Sequence, residues 1–257
     1  MSLVAGIDVG STSTKAFLIN GLETFHLIRP TGWSPRDTGT AILEELLQRS
    51  GFSKDQLQKI VVTGYGRVSL TFADKSVTEI SCHARGAAYL VPGLDTIIDI
   101  GGQDSKVIKV NSSGQVLDFF MNDKCAAGTG RFLQVMAHAL GLDVSDLGNL
   151  PPVKPVTISN MCTVFAESEV IGLLAQGAAK ESIVSGLHLA IAKRISSMVH
   201  KFGNSNKIVF TGGVALNQGV QRSLEQELGM KVYVPEKCQL AGALGAALIA
   251  QDLALKN

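Results

Sequence analysis

Ile7-Asp-Val-Gly-Ser-Thr-Ser-Thr-Lys15 and Ile98-Asp-Ile-Gly-Gly-Gln-Asp-Ser-Lys106 are the two stretches whose reading decides the fold. From Ile7 to Ile98 the offset is 91 residues, and it stays constant while Ile, Asp, Gly and Lys recur at matching places. Each stretch is entered from an apolar run, Val4–Val9 or Thr96–Ile100, that predicts a buried strand ending in a tight glycine turn. A returning pair of strands is expected after each turn. In the first copy these are Ala16–Ile19 and Thr24–Ile28 across Asn20-Gly21; in the second, Val107–Val110 and Val116–Phe120 across Ser113-Gly114. The period is too long for a solenoid. It predicts two similar α/β units, residues 1–94 and 95–257, with a nucleotide-sized cleft between them and a closing helix, Ala243–Leu255, that can pack back on the first.

Working outward, helices are expected at Ala41–Gln48 (closed by Gly51), Ser81–Leu90, Ala127–Leu140, Phe165–Leu174 and Ile183–Phe202. A capping box at Ser53-Lys-Asp-Gln56 predicts one further short helix. Strands are expected at Ile60–Thr63, Val156–Ile158, Ile208–Thr211 and Val232–Val234, and Gly212-Gly213 is expected to open a helix.

Composition narrows the function classes. The chain has 257 residues, with 23 basic and 22 acidic side chains, for a net charge of +1. That balance argues against a nucleic-acid or polyanion binder. With 46% hydrophobic and 18% charged residues it is not a disordered chain. Four cysteines are too few for a disulfide scaffold. Mean hydropathy is +0.24, yet the late apolar stretch Cys238–Gln251 is only 14 residues long, short of the roughly 20 that a spanning helix needs. The opening MSLVAGIDVG lacks the basic start of a signal peptide. A cytoplasmic protein is expected.

The duplicated turns carry phosphate chemistry. Gly10-Ser11-Thr12-Ser13-Thr14 follows a buried strand, and a turn of small hydroxyl residues presents backbone N–H groups to phosphate oxygens. Lys15 adds a point charge, and Asp8 is placed to hold Mg²⁺ directly or through water. The second copy offers Asp99, Gly101, Gly102, Gln103 and Asp104, so two turns could grip the β- and γ-phosphates from both sides. No G-x-x-x-x-G-K-S/T is present, which excludes a P-loop.

The paired turns, with Val209-Phe-Thr-Gly-Gly-Val-Ala-Leu-Asn217 after a strand, resemble the actin, hexokinase and Hsp70 superfamily. That resemblance implies two duplicated actin-like ATPase domains of ribonuclease H-like topology. Asp8–Thr14 looks like its first phosphate motif, Asp99–Ser105 like its second, and 209–217 like its adenosine motif. Gly212, Gly213 and Ala215 would lie against the nucleoside, with Asn217 hydrogen-bonding nearby. Gln239–Gly245 is expected to close the same pocket.

The cysteines are Cys82, Cys125, Cys162 and Cys238, and none shows C-x-x-C spacing. Cys82 and Cys238 are expected to be small buried core residues. Cys125 and Cys162 each precede a predicted helix, where the positive end of the dipole favours thiolate. NDKCAAGTGRF (122–132), CTVFAESEV (162–170) and IDIGGQD (98–104) closely resemble the activator ATPases of 2-hydroxyacyl-CoA dehydratases, in the BadF/BadG/BcrA/BcrD group. The resemblance runs nearly end to end and includes Thr63-Gly-Tyr-Gly-Arg67, Ser81-Cys-His83 and Gly242-Ala-Leu-Gly-Ala-Ala247.

What that resemblance implies is a homodimer bridged by one [4Fe–4S] cluster, with Cys125 and Cys162 of each subunit as ligands. ATP hydrolysis, with Mg²⁺, would push a low-potential electron into a partner iron–sulfur enzyme. The partner would be a 2-hydroxyacyl-CoA dehydratase or a related double-cubane cluster protein, with ferredoxin or flavodoxin as donor. Gly128-Thr-Gly130 would touch both nucleotide and cluster. Asp8 and Asp99 are candidates for Mg²⁺ and its waters. Asp104 and Gln103 are candidates for placing the attacking water, which phosphoryl transfer needs more than a strong base. Glu167 is a further candidate, with a solvated helix face as its other reading. Gln239 joins the nucleotide set. Two other classes stay open: a small-molecule kinase of the same fold, and a non-catalytic nucleotide-dependent regulator.

Overall fold

Among the described residues, ten strands form two five-stranded sheets with the same internal order. The computed structural model describes residues 2–122, 127–159 and 162–256. The first sheet contains β1 (Leu3–Val9), β2 (Ser13–Asn20), β3 (Glu23–Pro30), β4 (Leu57–Thr63) and β5 (Lys75–Ser76), in the order β3-β2-β1-β4-β5. The second contains β6 (Thr96–Ile100), β7 (Ser105–Val110), β8 (Val116–Asn122), β9 (Ile208–Thr211) and β10 (Val232–Tyr233), in the order β8-β7-β6-β9-β10. In each sheet the first strand pairs antiparallel with the second and parallel with the fourth. The repeat therefore extends from the turns to the whole strand order.

Helices occupy the connections: α1 (Pro35–Ser50), α2 (Glu79–Leu90), α3 (Gly130–Leu140), α4 (Val144–Leu147), α5 (Thr163–Ala175), α6 (Lys180–His200), α7 (Gln218–Leu228) and α8 (Ala241–Ala254). α1 begins earlier than its apolar periodicity suggests. Ser34 accepts from the Asp37 N–H and Pro35 opens the first turn, a start signal independent of the apolar face. Gly51, at φ 77°, closes it as expected.

The chain groups into two compact units. One comprises Met1–Gly93, Val110–Leu117 and Gln239–Asn257; the other comprises Leu94–Lys109 and Asp118–Cys238. The first junction lies between Gly93 and Leu94, and residues 239–257 and the β7–β8 tip group with the first sheet. The reason is packing: α8 lies on α2 and on β1.

In the first unit, alternate residues of the strands serve opposite faces. Ala5, Ile7, Val9 and Leu18 pack with Ile42, Leu43 and Leu46 of α1. Val4, Phe17 and Val61 pack with Cys82 of α2 and Ala243, Leu244 and Ala247 of α8. This second layer is held by backbone contact. A Cβ on Gly86 would overlap the Ala241 carbonyl, one on Gly245 the Cys82 carbonyl, and one on Gly6 the Ala243 carbonyl. Only glycine allows approach that close. In the second unit, Ile98, Ile100 and Val107 form one core with Phe132 and Met136 of α3, Ile183 and Ile191 of α6, and Leu224 of α7.

Three local expectations are corrected. The first hairpin turns at Gly21-Leu22, because Asn20 still pairs with Glu23 and Gly21 supplies the positive φ of 63°. Val156–Ile158 is extended chain, not a strand. The Val156 N–H bonds the Ser182 carbonyl, and the segment lies on α6 at Gly186. Gly212-Gly213 opens a 3-10 turn, Gly213–Leu216, and α7 starts only at Gln218, with Asn217 as its cap. Among the described residues no helix is long and apolar enough to cross a membrane.

Candidate functional site

Each unit presents the same construction at the end of its central strand. Asp8, the penultimate residue of β1, is 2% exposed. It sits opposite Lys15 of β2 and Thr63 of β4. Asp99 of β6, also 2% exposed, sits opposite Lys106 of β7 and Thr211 of β9. The Gly10 N–H bonds the Ser13 carbonyl at 3.1 Å, and the Gly101 N–H bonds the Asp104 carbonyl at 3.0 Å. The fourth strand of each sheet then ends in Thr-Gly. Gly64 has φ 85° and Gly212 φ 88°. A Cβ on Gly64 would collide with Asp8 Oδ1; one on Gly212 would stand 2.7 Å from Asp99 Oδ1. Positive φ and lack of room both demand glycine at these two positions.

This second element of the repeat was missed by alignment at a fixed offset. Thr63-Gly64 and Thr211-Gly212 are not 91 residues apart, because the connections before β4 and β9 differ in length. The recoverable signal was a Thr-Gly pair closing an apolar strand in each half.

The two copies differ electrostatically. Lys15 Nζ lies 3.2 Å from Asp8 Oδ2, while Asp8 Oδ1 is buried with no hydrogen bond among the described residues. A buried carboxylate oxygen is costly unless a cation or donor meets it. A hard oxygen so placed fits Mg²⁺, bound directly or through water. In the second copy both carboxylate oxygens of Asp99 are engaged: Lys106 Nζ at 3.5 Å on Oδ2 and the Thr211 hydroxyl donating at 3.3 Å to Oδ1. Lys106, 1% exposed, also reaches Asp104 Oδ2 at 2.8 Å. One buried ammonium thus ties the strand-end carboxylate to the far side of its own turn.

Removing one partner of a buried ion pair costs about 3–5 kcal/mol. Lys106→Met is therefore expected to lower the melting midpoint by roughly 6–20 °C, measured by calorimetry. Lys106→Met with Asp99→Asn should recover part of that loss.

The other expected residues fall into place around these turns. In the first unit Ser11 and Thr12 are exposed at the turn, and Ser13 and Thr14 already belong to β2. Thr14 and Thr31 share a hydroxyl hydrogen bond of 3.0 Å, and Thr31 also donates to the Gly10 carbonyl at 2.7 Å. Gln239 lies in the 3-10 turn just before α8, and a Cβ on Gly242 would stand 2.9 Å from Asp8 Oδ2.

In the second unit Gln103 is exposed at the turn's tip. The Gly130 and Arg131 N–H groups of α3 bond the Gly101 and Gly102 carbonyls, each at 2.9 Å, so Gly128-Thr-Gly130 is brought onto this turn. Ala215 is buried. Asn217 Oδ1 accepts from the Val220 N–H at 3.0 Å, so that oxygen serves as a helix cap. Glu167 is half-buried on α5 and makes no hydrogen bond or ion pair among the described residues; nothing joins it to the Asp99 turn.

Cys82 and Cys238 are buried, at 0% and 1% exposure. Burial is the main cause that pushes the Cys82 thiol up to about 12. It is expected to resist iodoacetamide at pH 9 in the native protein and to react once unfolded, read by mass spectrometry. Cys162 is exposed and caps α5. Cys125 lies outside the described residues.

A match to the model of the BadF/BadG/BcrA/BcrD ATPase family runs over residues 5–250. The chain belongs to this family. It is 47% identical over 255 residues to the 2-hydroxyisocaproyl-CoA dehydratase activator of Clostridioides difficile, spanning 98% of this chain and 96% of that one. Component A of the Acidaminococcus fermentans (R)-2-hydroxyglutaryl-CoA dehydratase superposes with a TM-score of 0.95 at 44% identity, covering 99% of this chain and 100% of that chain. The Clostridium difficile activator with bound ADPNP superposes with a TM-score of 0.91 at 45% identity, covering 99% and 96%. The fold of this BadF/BadG/BcrA/BcrD ATPase is therefore the actin-like ATPase fold, mixed α/β with two five-stranded sheets, as the duplicated turns led one to expect.

Proposed function

We propose that the chain is an ATP-hydrolysing activator that delivers a low-potential electron to a partner iron–sulfur enzyme. That enzyme is a 2-hydroxyacyl-CoA dehydratase or a related double-cubane cluster reductase. The observation that carries the reading is an exposed thiol, Cys162, at the head of α5, in a chain alike end to end to a named dehydratase activator. In this reading Asp8 holds Mg²⁺ through the oxygen that no donor among the described residues meets. Gly10–Lys15 and Gly101–Gln103 bind phosphate, Gly212, Gly213, Ala215, Asn217 and Gln239 bind the nucleoside, and Gln103 and Asp104 place water. Lys106 ties Asp99 and Asp104 together across the turn. Because α3 starts on the Gly101-Gly102 turn, a change at that turn moves the segment that follows Cys125.

A [4Fe–4S] cluster held by Cys125 and Cys162 of two subunits would supply the one-electron reductant. An exposed cysteine with no disulfide suits that ligand role. Two apolar surfaces support a homodimer. Val164, Phe165 and Ile171 of α5 are exposed, and Leu117, Phe119 and Met121 alternate, exposed, along the edge strand β8. A reducing cytoplasm, with ferredoxin or flavodoxin as donor, completes the proposal.

Anaerobic purification tests it. The expected product is a brown dimer with about four irons per two chains, whose ATP hydrolysis accompanies reduction of an added dehydratase. An iron-free monomer that phosphorylates a small metabolite would overturn the reading in favour of a kinase of the same fold.

A further inference from the structure

The second unit contains a cavity of about 320 Å³ that none of the nucleotide or cluster residues lines. Its walls are one face of α6, with Val184, Ser185 and His188, and one face of α7, with Arg222, Ser223 and Gln226. Its cover is the proline-rich segment 150–155, which leads into the extended chain that lies on α6 at Val156. The volume is at the lower end of small-molecule sites.

The cavity holds one buried polar atom without a partner and one guanidinium with donors to spare. His188 is 5% exposed, and its Nε2 is buried with no hydrogen bond among the described residues. Gly219 of α7 is pressed against the other side of the ring, so the imidazole cannot turn away. Arg222 makes one long bond, 3.5 Å, to the Gly148 carbonyl and has no carboxylate partner among the described residues. Burial first, and then the Arg222 charge, hold His188 down to about 4. The imidazole is therefore neutral at physiological pH, and the cavity carries one positive charge, that of the guanidinium.

We infer that this cavity binds a small monoanion: a carboxylate on a short apolar body, its head on Arg222 and His188 and its body against the prolines. The fork of the guanidinium suits a carboxylate. A single cation balances a single negative charge, whereas a phosphate dianion would leave one charge unpaired beside Val184 and Pro151–Val153. Asn217 lies next to the site: Cβ atoms on Gly148 and Gly219 would stand 3.3 and 3.2 Å from its Oδ1. Occupancy would therefore be felt at the cap of α7. This goes beyond the proposed electron-delivery role and does not depend on it.

The test is ligand-observed NMR on the full-length protein, using phenylacetate, neutral phenylacetamide and phenylphosphonate as probes. Phenylacetate is expected to bind with a dissociation constant of about 1 mM or below, at least tenfold tighter than either of the others. Arg222→Gln should weaken it at least tenfold. Ser223→Leu, which fills the cavity from α7, should do the same and serves if Arg222→Gln does not fold. Equal binding of the amide, tighter binding of the phosphonate, no effect of either variant, or no binding at all would overturn the proposal. So would competitive displacement of phenylacetate by ATP, since the cavity would then be part of the nucleotide site.

Discussion

Replacing Gly245 by valine is expected to prevent the first unit from folding, seen as loss of its cooperative melting transition in calorimetry and as an expanded species in size exclusion. The Gly245 Cα faces the Cys82 carbonyl so closely that any Cβ overlaps it. α8 would have to lift from α2, and with it go Ala243, Leu244 and Ala247 from the layer over Val4, Phe17 and Val61. Overpacking in side-chain cores costs about 1–3 kcal/mol because side chains yield. Backbone against backbone has nothing that yields, so the cost should exceed the ~4–5 kcal/mol that marks an exceptional substitution. Gly172→Ala is the control. That glycine is also helical, nothing stands within 4 Å of a Cβ there, and the change is expected to stabilise by about 0.5–1 kcal/mol.

Cys162→Ser is expected to remove bound iron and to lower electron delivery at least about 100-fold, while nucleotide still binds. Serine keeps the size and the helix-capping position but not the thiolate, and oxygen does not replace soft sulfur as a cluster ligand. Iron and sulfide analysis with a dye-reduction assay reads the first effect; equilibrium dialysis with ATP reads the second. Cys82→Ser should leave iron unchanged, since Cys82 is fully buried in the layer that includes Val61, Leu244 and Ala247. Retention of the cluster in Cys162→Ser would remove the basis of the proposed function.

The turns were legible because chemistry and periodicity coincide there. A buried strand, an aspartate at its end and a glycine immediately after are all local in sequence. The antiparallel register repeats with it: Asp8 opposite Lys15 and Asp99 opposite Lys106 are seven residues apart in each copy. What was not legible depends on partners far along the chain. Val156–Ile158 has the apolar pattern of a strand, yet β9 and β10 already complete the sheet and the segment is used on α6. The divergence of the two aspartates, one with an unmet oxygen and one fully engaged, depends on Thr211 and on a lysine buried to 1%.

The first unit draws on residues 1–93, 110–117 and 239–257, whereas the second is complete by residue 238. During synthesis, β1 and β2 leave the ribosome long before the helix that covers one of their faces. Domains made first generally fold first, but here the half begun first is finished last. Until α8 has been made, Val4, Phe17 and Val61 have only α2 as cover, and the glycines of β1 and α2 have no backbone to meet. A nascent chain in that state presents an apolar sheet face to whatever holds it, so the period between residues 93 and 239 is when this protein most needs a chaperone.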